Sequence, residues 1–135
     1  MSSSRPVVFL LAVMLAGACS AQTIICPEQI TAPGVLERKY EEWRSFSSSL
    51  PQYFDYIALT AGSPDQGATL VPDFDTKAEV MWNLPAGEEH WVVCNYLSSD
   101  VRLARQLPAD VRVCSVRRKP VGTKATQQLN ELRCK

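Results

Sequence analysis

The sequence predicts a mainly β fold: a small antiparallel sheet or sandwich of about six strands with one or two short helices, stapled by two disulfides. Two observations predict the sheet. Short runs rich in apolar and β-branched residues are separated by turn residues, and strand–helix–strand alternation is absent. A third observation predicts the disulfides: four of the five cysteines lie beyond an N-terminal segment that has the features of an export signal.

The N-terminus has the features of an export signal. Arg5 precedes a run of ten apolar residues, VVFLLAVMLA, and small residues follow it. A bilayer span needs ~20 apolar residues, so this run is too short to be one. We expect residues 1–21 to be a signal peptide cleaved after Ala21. A single domain, residues 22–135, would then remain in the periplasm or be secreted, without a transmembrane segment.

Whether the mature protein retains Cys19 depends on where the signal peptide is cut. Cutting after Ala18 leaves Cys19 as the first residue, and lipoprotein processing also begins at a cysteine, although Ala16 stands where a large aliphatic residue is usual. A lipid anchor through Cys19 is therefore the alternative to a soluble mature protein. Removal of Cys19 leaves an even number of cysteines, as a disulfide framework requires. These four are Cys26, Cys94, Cys114 and Cys134.

The pairing of these cysteines depends on how the later strands are arranged. If residues 90–96, 101–107 and 111–117 form a meander, Cys94 and Cys114 lie two strand spacings apart, ~9–10 Å. A disulfide requires Cα atoms within ~7 Å, so these two should not pair. We prefer Cys26–Cys94 with Cys114–Cys134, and the swapped pairing remains open.

The individual elements follow from periodicity. Within residues 101–107, apolar residues alternate with Arg102 and Gln106, which is typical of a half-buried strand. Spacing at three and four residues predicts one short helix within 35–46 and a second one in the C-terminal segment 123–133. Other strand-like runs cover residues 23–30, 53–62 and 78–84, with Pro27 ending the first or placing it at a sheet edge.

Basic residues dominate the chain beyond Val101, although the formal net charge of the whole chain is +0. A basic face could bind an anionic cell-wall component or an envelope protein, and a solvated sheet face is the alternative interpretation. Nucleic acid is an unlikely partner class because aromatic residues are not interleaved with the basic ones. The candidate binding face comprises Arg105, Arg112, Arg117 and Arg118.

No motif predicts catalysis, a cofactor or a metal. His90 is the only histidine, and no G-x-S-x-G motif accompanies it. The cysteines are too far apart for zinc ligation, and Asp65 with Asp73 and Asp75 lacks the glycine and glutamate of a calcium loop. We therefore predict no catalytic, cofactor-binding or metal-binding residues. A carboxylate-based cell-wall hydrolase remains an alternative, because a fold can bring distant acids together.

The aromatic residues allow two interpretations. Trp43, Trp82, Trp91 and Tyr96 could line a groove for a glycan or a peptide. We favour a role in the core, because Trp82 and Trp91 are predicted to face each other on adjacent strands of a hairpin.

A set of short motifs covers most of the chain after residue 21: Cys26-Pro27, Gly62 with Pro64, Leu70 with Pro72, Trp82, Cys94 with Tyr96, Leu103-Arg105-Leu107-Pro108 and Cys114. In these motifs the chain resembles a small family of exported proteobacterial proteins that has no assigned function. The resemblance implies export, cleavage after Ala21 and a fold consistent with the one above, but no activity. We expect a non-enzymatic binding or inhibitor-like module of the bacterial envelope; a lipid-anchored structural component is the alternative beside the hydrolase.

Overall fold

The computed structural model describes residues 21–32, 41–42, 44 and 50–135. Within these ranges the chain forms β-strands and no helix. The strands are β1 (Gln22–Ile25), β2 (Gln29–Thr31), β3 (Pro51–Ala61), β4 (Ala68–Thr69), β5 (Phe74–Asp75), β6 (Glu79–Asn83), β7 (His90–Tyr96), β8 (Leu103–Gln106), β9 (Val113–Val121) and β10 (Ala125–Cys134). The helix predicted within residues 35–46 lies almost entirely outside the described residues.

The strands form two antiparallel sheets. The first sheet has the order β1-β10-β9-β6-β5, and the second has the order β2-β3-β7-β8, with β4 beside β3. Both sheets contribute to one buried cluster, which contains Val116 and Leu132 from the first sheet and Ile57 and Val92 from the second. The shared core makes the fold a β-sandwich, which confirms the predicted mainly β class.

Alternation of side chains along the strands explains how the sequence forms this core. On β6, Val80 and Trp82 are buried, whereas Glu79 and Asn83 flank them on the other face. On β9, Cys114 and Val116 repeat the same period of two. One face of each strand is therefore apolar enough to pack against the opposite sheet.

The predicted C-terminal helix is wrong, because residues 125–134 form β10. β10 pairs with β9 over most of its length and with β1 on its other side. A register shift between Gln128 and Leu132 interrupts the β9–β10 ladder, with four residue steps on β10 opposite two on β9. The helix-like apolar spacing spans this irregularity. Pairing with β9, and with β1 along Glu131–Cys134, outweighs the helical propensity of the segment.

The predicted three-strand meander is also wrong in part. β8 pairs with β7, but β9 lies in the other sheet between β6 and β10. The chain therefore crosses from one sheet to the other after Leu107. Trp82 and Trp91 do not form the predicted cross-strand pair, because β6 and β7 belong to different sheets.

The disulfides join Cys26 to Cys94 and Cys114 to Cys134, which confirms the preferred pairing. The reason differs from the one expected, because Cys94 and Cys114 lie in different sheets instead of two strands apart in one. Cys114 and Cys134 are direct neighbours on β9 and β10, with Cα atoms 4.1 Å apart. The adjacent pair Val113–Lys135 exchanges both backbone hydrogen bonds, so the cysteines occupy a non-hydrogen-bonded pair, where strands approach most closely.

The Cys26-Pro27 step connects the two sheets. The predicted first strand, residues 23–30, is divided there into β1 in the first sheet and β2 in the second. The Asn130 side chain donates to the Cys26 carbonyl (2.8 Å), and the Tyr96 hydroxyl donates to the Pro27 carbonyl (3.0 Å). Proline lacks an N–H for a ladder, so the strand ends where the chain must change sheets.

β10 also contacts the second sheet through the edge of β3. The Ile57 N–H donates to the Gln128 side-chain oxygen at 2.9 Å, beside the register shift in β10. On the side of Ile57 away from β7, where neither β2 nor β4 pairs with β3, this backbone donor is thereby satisfied by a side chain. This bond closes the sandwich on the side opposite to β8.

Candidate interaction surfaces

The four arginines of the predicted binding face are divided between the sheets. Arg117 and Arg118 lie on β9, and Arg112 directly precedes that strand. Arg105 lies on β8 at the edge of the second sheet. Three of the arginines therefore belong to β9 or its start, and Arg105 is separate from them. Arg117 and Arg118 are consecutive residues of β9, so their side chains point to opposite faces of the sheet.

Two of these arginines are engaged in contacts within the fold. Arg118 forms an ion pair with Asp75 (2.9 Å) and donates to the Thr76 carbonyl (3.2 Å). Arg112 donates to the carbonyls of Ala109 (2.8 Å) and Val111 (2.9 Å). Both guanidinium groups thus hold the ends of first-sheet strands. A partner that bound them would have to compete with these internal hydrogen bonds or add to them.

The outer face of the first sheet carries a shallow concavity of about 440 Å³. Arg133 opposes Ser115 across β10 and β9, and Ser115 opposes Met81 across β9 and β6. The face therefore alternates charged, small and apolar groups, a mixture suited to a protein surface more than to a small ligand. Its lining is Glu79, Met81, Asn83, Val113, Ser115, Arg133, Cys134 and Lys135.

A second concavity, of about 390 Å³, lies beside the β9–β10 turn. Lys77, Arg118 and Lys124 line it together with small residues of the turn. The positive charge is partly balanced, because Arg118 is paired with Asp75. Exposed pairs of this kind contribute little binding or folding energy on their own.

His90 is buried at the start of β7, with 5% of its surface exposed. Its Nε2 has no hydrogen-bond partner among the described residues, and the nearest carboxylate oxygen, from Glu88, is 3.7 Å away. No serine or cysteine nucleophile is hydrogen-bonded to it in the part of the chain that the structure describes. The geometry there is not that of a catalytic triad.

The three aspartates considered for calcium have other partners. Asp65 accepts a hydrogen bond from the Ser63 hydroxyl, which lowers the pKa of the Asp65 carboxyl. Asp73 accepts from the Asn83 N–H (2.6 Å), and Asp75 pairs with Arg118. Across the described ranges, no group of three or more His, Cys, Asp or Glu side chains is arranged to hold a metal.

Three of the described aromatic side chains lie in the core, whereas Tyr53, Tyr56 and Phe74 are exposed. Trp82 and Tyr96 are buried, and the Trp82 indole donates to the Leu70 carbonyl at 3.4 Å. Phe54 and Tyr96 pack edge to face with ring centroids 6.5 Å apart. Trp91 is half-buried and donates to the Glu89 carboxylate, whereas Trp43 lies outside the described residues.

The fold and these surfaces define a class: a small β-sandwich held by two disulfides, with exposed faces and sheet edges. Residues 47–135, more than half of the chain, match the model of the Type VI secretion system Tli immunity protein family. The chain belongs to this family. The exported family that the sequence resembles is compatible with this assignment, but the family description adds a role in immunity.

The comparisons gave no other match. No curated protein and no solved structure matched the chain. Among the described residues, no helix is long and apolar enough to cross a membrane. The two disulfides are typical of a protein that works in an oxidising compartment.

Proposed function

We propose that this chain is an exported immunity protein that binds a toxic effector protein delivered by Type VI secretion and prevents it from acting in the periplasm. The observation that carries the proposal is the match of residues 47–135 to the Tli immunity family. A protein that neutralises a toxin by binding needs a rigid surface more than a reactive group.

The disulfides support the compartment named in this proposal. Two buried disulfides form and persist in oxidising compartments such as the periplasm. β1 begins at Gln22, directly after the proposed cleavage site at Ala21. Removal of residues 1–21 would thus leave the first sheet intact. Acylation at Cys19 would instead hold the β1 edge at a membrane surface.

The size of the surfaces supports a protein as the partner. The outer face of the first sheet offers a broad, shallow and mixed surface, whereas small-molecule sites are usually enclosed and mostly apolar. A stable protein complex buries about 800 Å² on each partner, which one face or edge of a sandwich can supply. A protein partner therefore fits these surfaces better than a small ligand.

Competition between sister cells tests the proposal. Recipient cells that lack this chain are mixed with parental cells whose Type VI apparatus is active or inactivated, and recipient survival is counted. We expect recipients to die only beside cells with an active apparatus. Production of the full chain should restore survival, whereas residues 22–135 kept in the cytoplasm should not.

Deleting effector genes one at a time from the parental cells then identifies the effector whose absence spares the recipients. Its purified toxic domain should bind the purified, oxidised residues 22–135 in calorimetry. Equal survival of recipients with and without the chain beside active cells would contradict the proposed function. Protection by the cytoplasmic form alone would contradict the proposed compartment.

A further inference from the structure

β8 is the outer strand of the second sheet, and all four of its residues are exposed. Its pairing with β7 continues at Leu107, whose N–H donates to the His90 carbonyl at 2.9 Å. Hydrogen-bonded pairs alternate along an antiparallel ladder. Leu103 and Arg105 therefore bond to β7, whereas the backbone groups of Ala104 and Gln106 point away from the sheet.

These outward backbone groups have no hydrogen-bond partner among the described residues. The other four edge strands offer less. β4 and β5 have two residues each, β2 has three residues and follows Pro27, and β1 buries Ile24 in the core. β8 is thus the longest fully exposed edge in the described part of the chain.

The side chains of β8 define what could pair with this edge. Leu103 and Arg105 oppose Cys94 and Val92, so they share one face of the strand, whereas Ala104 and Gln106 share the other. Leu103 is 38% exposed. Arg102 and Arg105 are exposed and form no ion pair with any described residue. An incoming strand would therefore meet unpaired backbone groups, a leucine and two free positive charges.

We infer that the free edge of β8 is the docking site for an extended segment of the effector protein, which adds a strand to the second sheet. This inference rests on the proposed function. The segment carries an acidic residue opposite Arg105 and an apolar residue two positions away, opposite Leu103. Backbone hydrogen bonds supply affinity in this mode of recognition, and alternate side chains supply specificity. Opposite charges also accelerate association and disfavour wrong partners.

An exposed edge with arginines has a second interpretation, in which the charges only prevent edge-to-edge aggregation. The two interpretations differ in what happens when the outward N–H groups are removed. Proline at Ala104 and Gln106 deletes donors that do not serve β7, so the β7–β8 ladder should persist. Docking is lost in the first interpretation and unchanged in the second.

The test measures binding of the toxic domain identified by the competition experiment. The double variant Ala104→Pro/Gln106→Pro should weaken binding at least about tenfold, or ~1.4 kcal/mol. The double variant Arg102→Glu/Arg105→Glu, which leaves the backbone unchanged, should weaken it by a similar factor, with most of the loss removed at high salt. Both variants should also reduce recipient survival in the competition.

Matched controls lie on the first sheet. The Cys26 N–H donates to the Asn130 carbonyl, so Ile24 is also in a hydrogen-bonded pair with β10 and the Thr23 N–H points away from the sheet. Thr23→Pro therefore removes an outward N–H from the β1 edge. Arg117→Glu/Lys119→Glu reverses two exposed charges of β9 that form no ion pair with any described residue. Both controls should bind and protect like the unmodified chain. Unchanged thermal midpoints and the absence of free thiols will show that every variant folds.

Three results would overturn the inference. The first is normal binding by both β8 variants while the unmodified chain protects recipients. This result would reject the β8 edge as the docking site without contradicting the immunity function. The second is loss of binding in Arg117→Glu/Lys119→Glu alone, which would move the docking site to the first sheet. The third is a dimer in sedimentation that the β8 prolines dissociate without any effect on effector binding. Failure of the unmodified chain to protect would remove the proposed function itself.

Discussion

The two disulfides connect the molecule in different ways. Cys114–Cys134 joins neighbouring strands of the first sheet, whose ladder already holds them together. Cys26–Cys94 joins the segment between β1 and β2 to β7, and no ladder of hydrogen bonds links those segments. One cross-link therefore reinforces a sheet, and the other holds the second sheet against the first.

The larger loss of stability is expected from the disulfide between the sheets. Cys26→Ala/Cys94→Ala opens a loop of 68 residues, and Cys114→Ala/Cys134→Ala opens one of 20 residues. Loop entropy then predicts losses in the free energy of unfolding of about 4 and about 3 kcal/mol, respectively. Urea unfolding of the two double variants will measure both losses, and removing cysteines in pairs avoids an odd thiol.

The opposite order of the two losses in the free energy of unfolding would contradict this difference between the disulfides. A larger loss from Cys114→Ala/Cys134→Ala would mean that the β9–β10 ladder depends on its cross-link more than the contact between the sheets does. A single transition should remain in both variants, because the sheets share one core.

Truncation of one core leucine in each sheet should cost a similar amount. Leu59 and Leu132 are both 0% exposed, and each packs in the shared cluster. Leu59→Ala and Leu132→Ala should each lower the free energy of unfolding by about 3 kcal/mol, through lost burial and the cavity left behind. Leu97→Ala, at a residue that is 50% exposed, is the control and should change it by less than about 0.5 kcal/mol. A small effect at only one leucine would show that the sheets are not equal partners in the core.

A smaller effect is expected at the hydrogen bond from Tyr96 to Pro27, beside the disulfide between the sheets. Tyr96→Phe removes the donor and leaves the Pro27 carbonyl without it, which should lower the free energy of unfolding by about 1 kcal/mol.

Burial also raises the pKa of Tyr96 above its ordinary value. The unfolded chain therefore ionises first, and the stability from this group declines as the pH rises above about 10. Unfolding at pH 8 and pH 11 should show a smaller alkaline loss in Tyr96→Phe, and equal losses would contradict this account.

The class of fold could be predicted from the sequence because side-chain alternation is local. Residues 78–84 and 90–96 each present a buried stripe with period two, and both became strands close to those bounds. The segment 123–133 was predicted incorrectly, because its apolar residues are spaced by three and four and the spacing does not reveal the pairing with β9 and β1. Chain order alone also suggested that β9 continues from β8, but the shared core placed β9 beside β6.

The candidate site was less predictable than the fold. Arg105, Arg112, Arg117 and Arg118 lie close in the sequence, yet β8 and β9 belong to different sheets. The signal for the β8 edge was visible as the alternation in residues 101–107, but whether a strand lies at an edge depends on the order of all strands. Exposure of the outward backbone of Ala104 and Gln106 is therefore a tertiary property.

A mainly β fold, an even set of four cysteines after Ala21 and an interruption by proline after Cys26 could all be predicted from the sequence. These features follow from residue type and local spacing, which each segment carries independently of its partners. Which strands share a sheet, which cysteines meet and which edge remains open depend on the packing of the whole chain. Those outcomes depend on burying both apolar faces in one core, and that requirement acts on the chain as a whole.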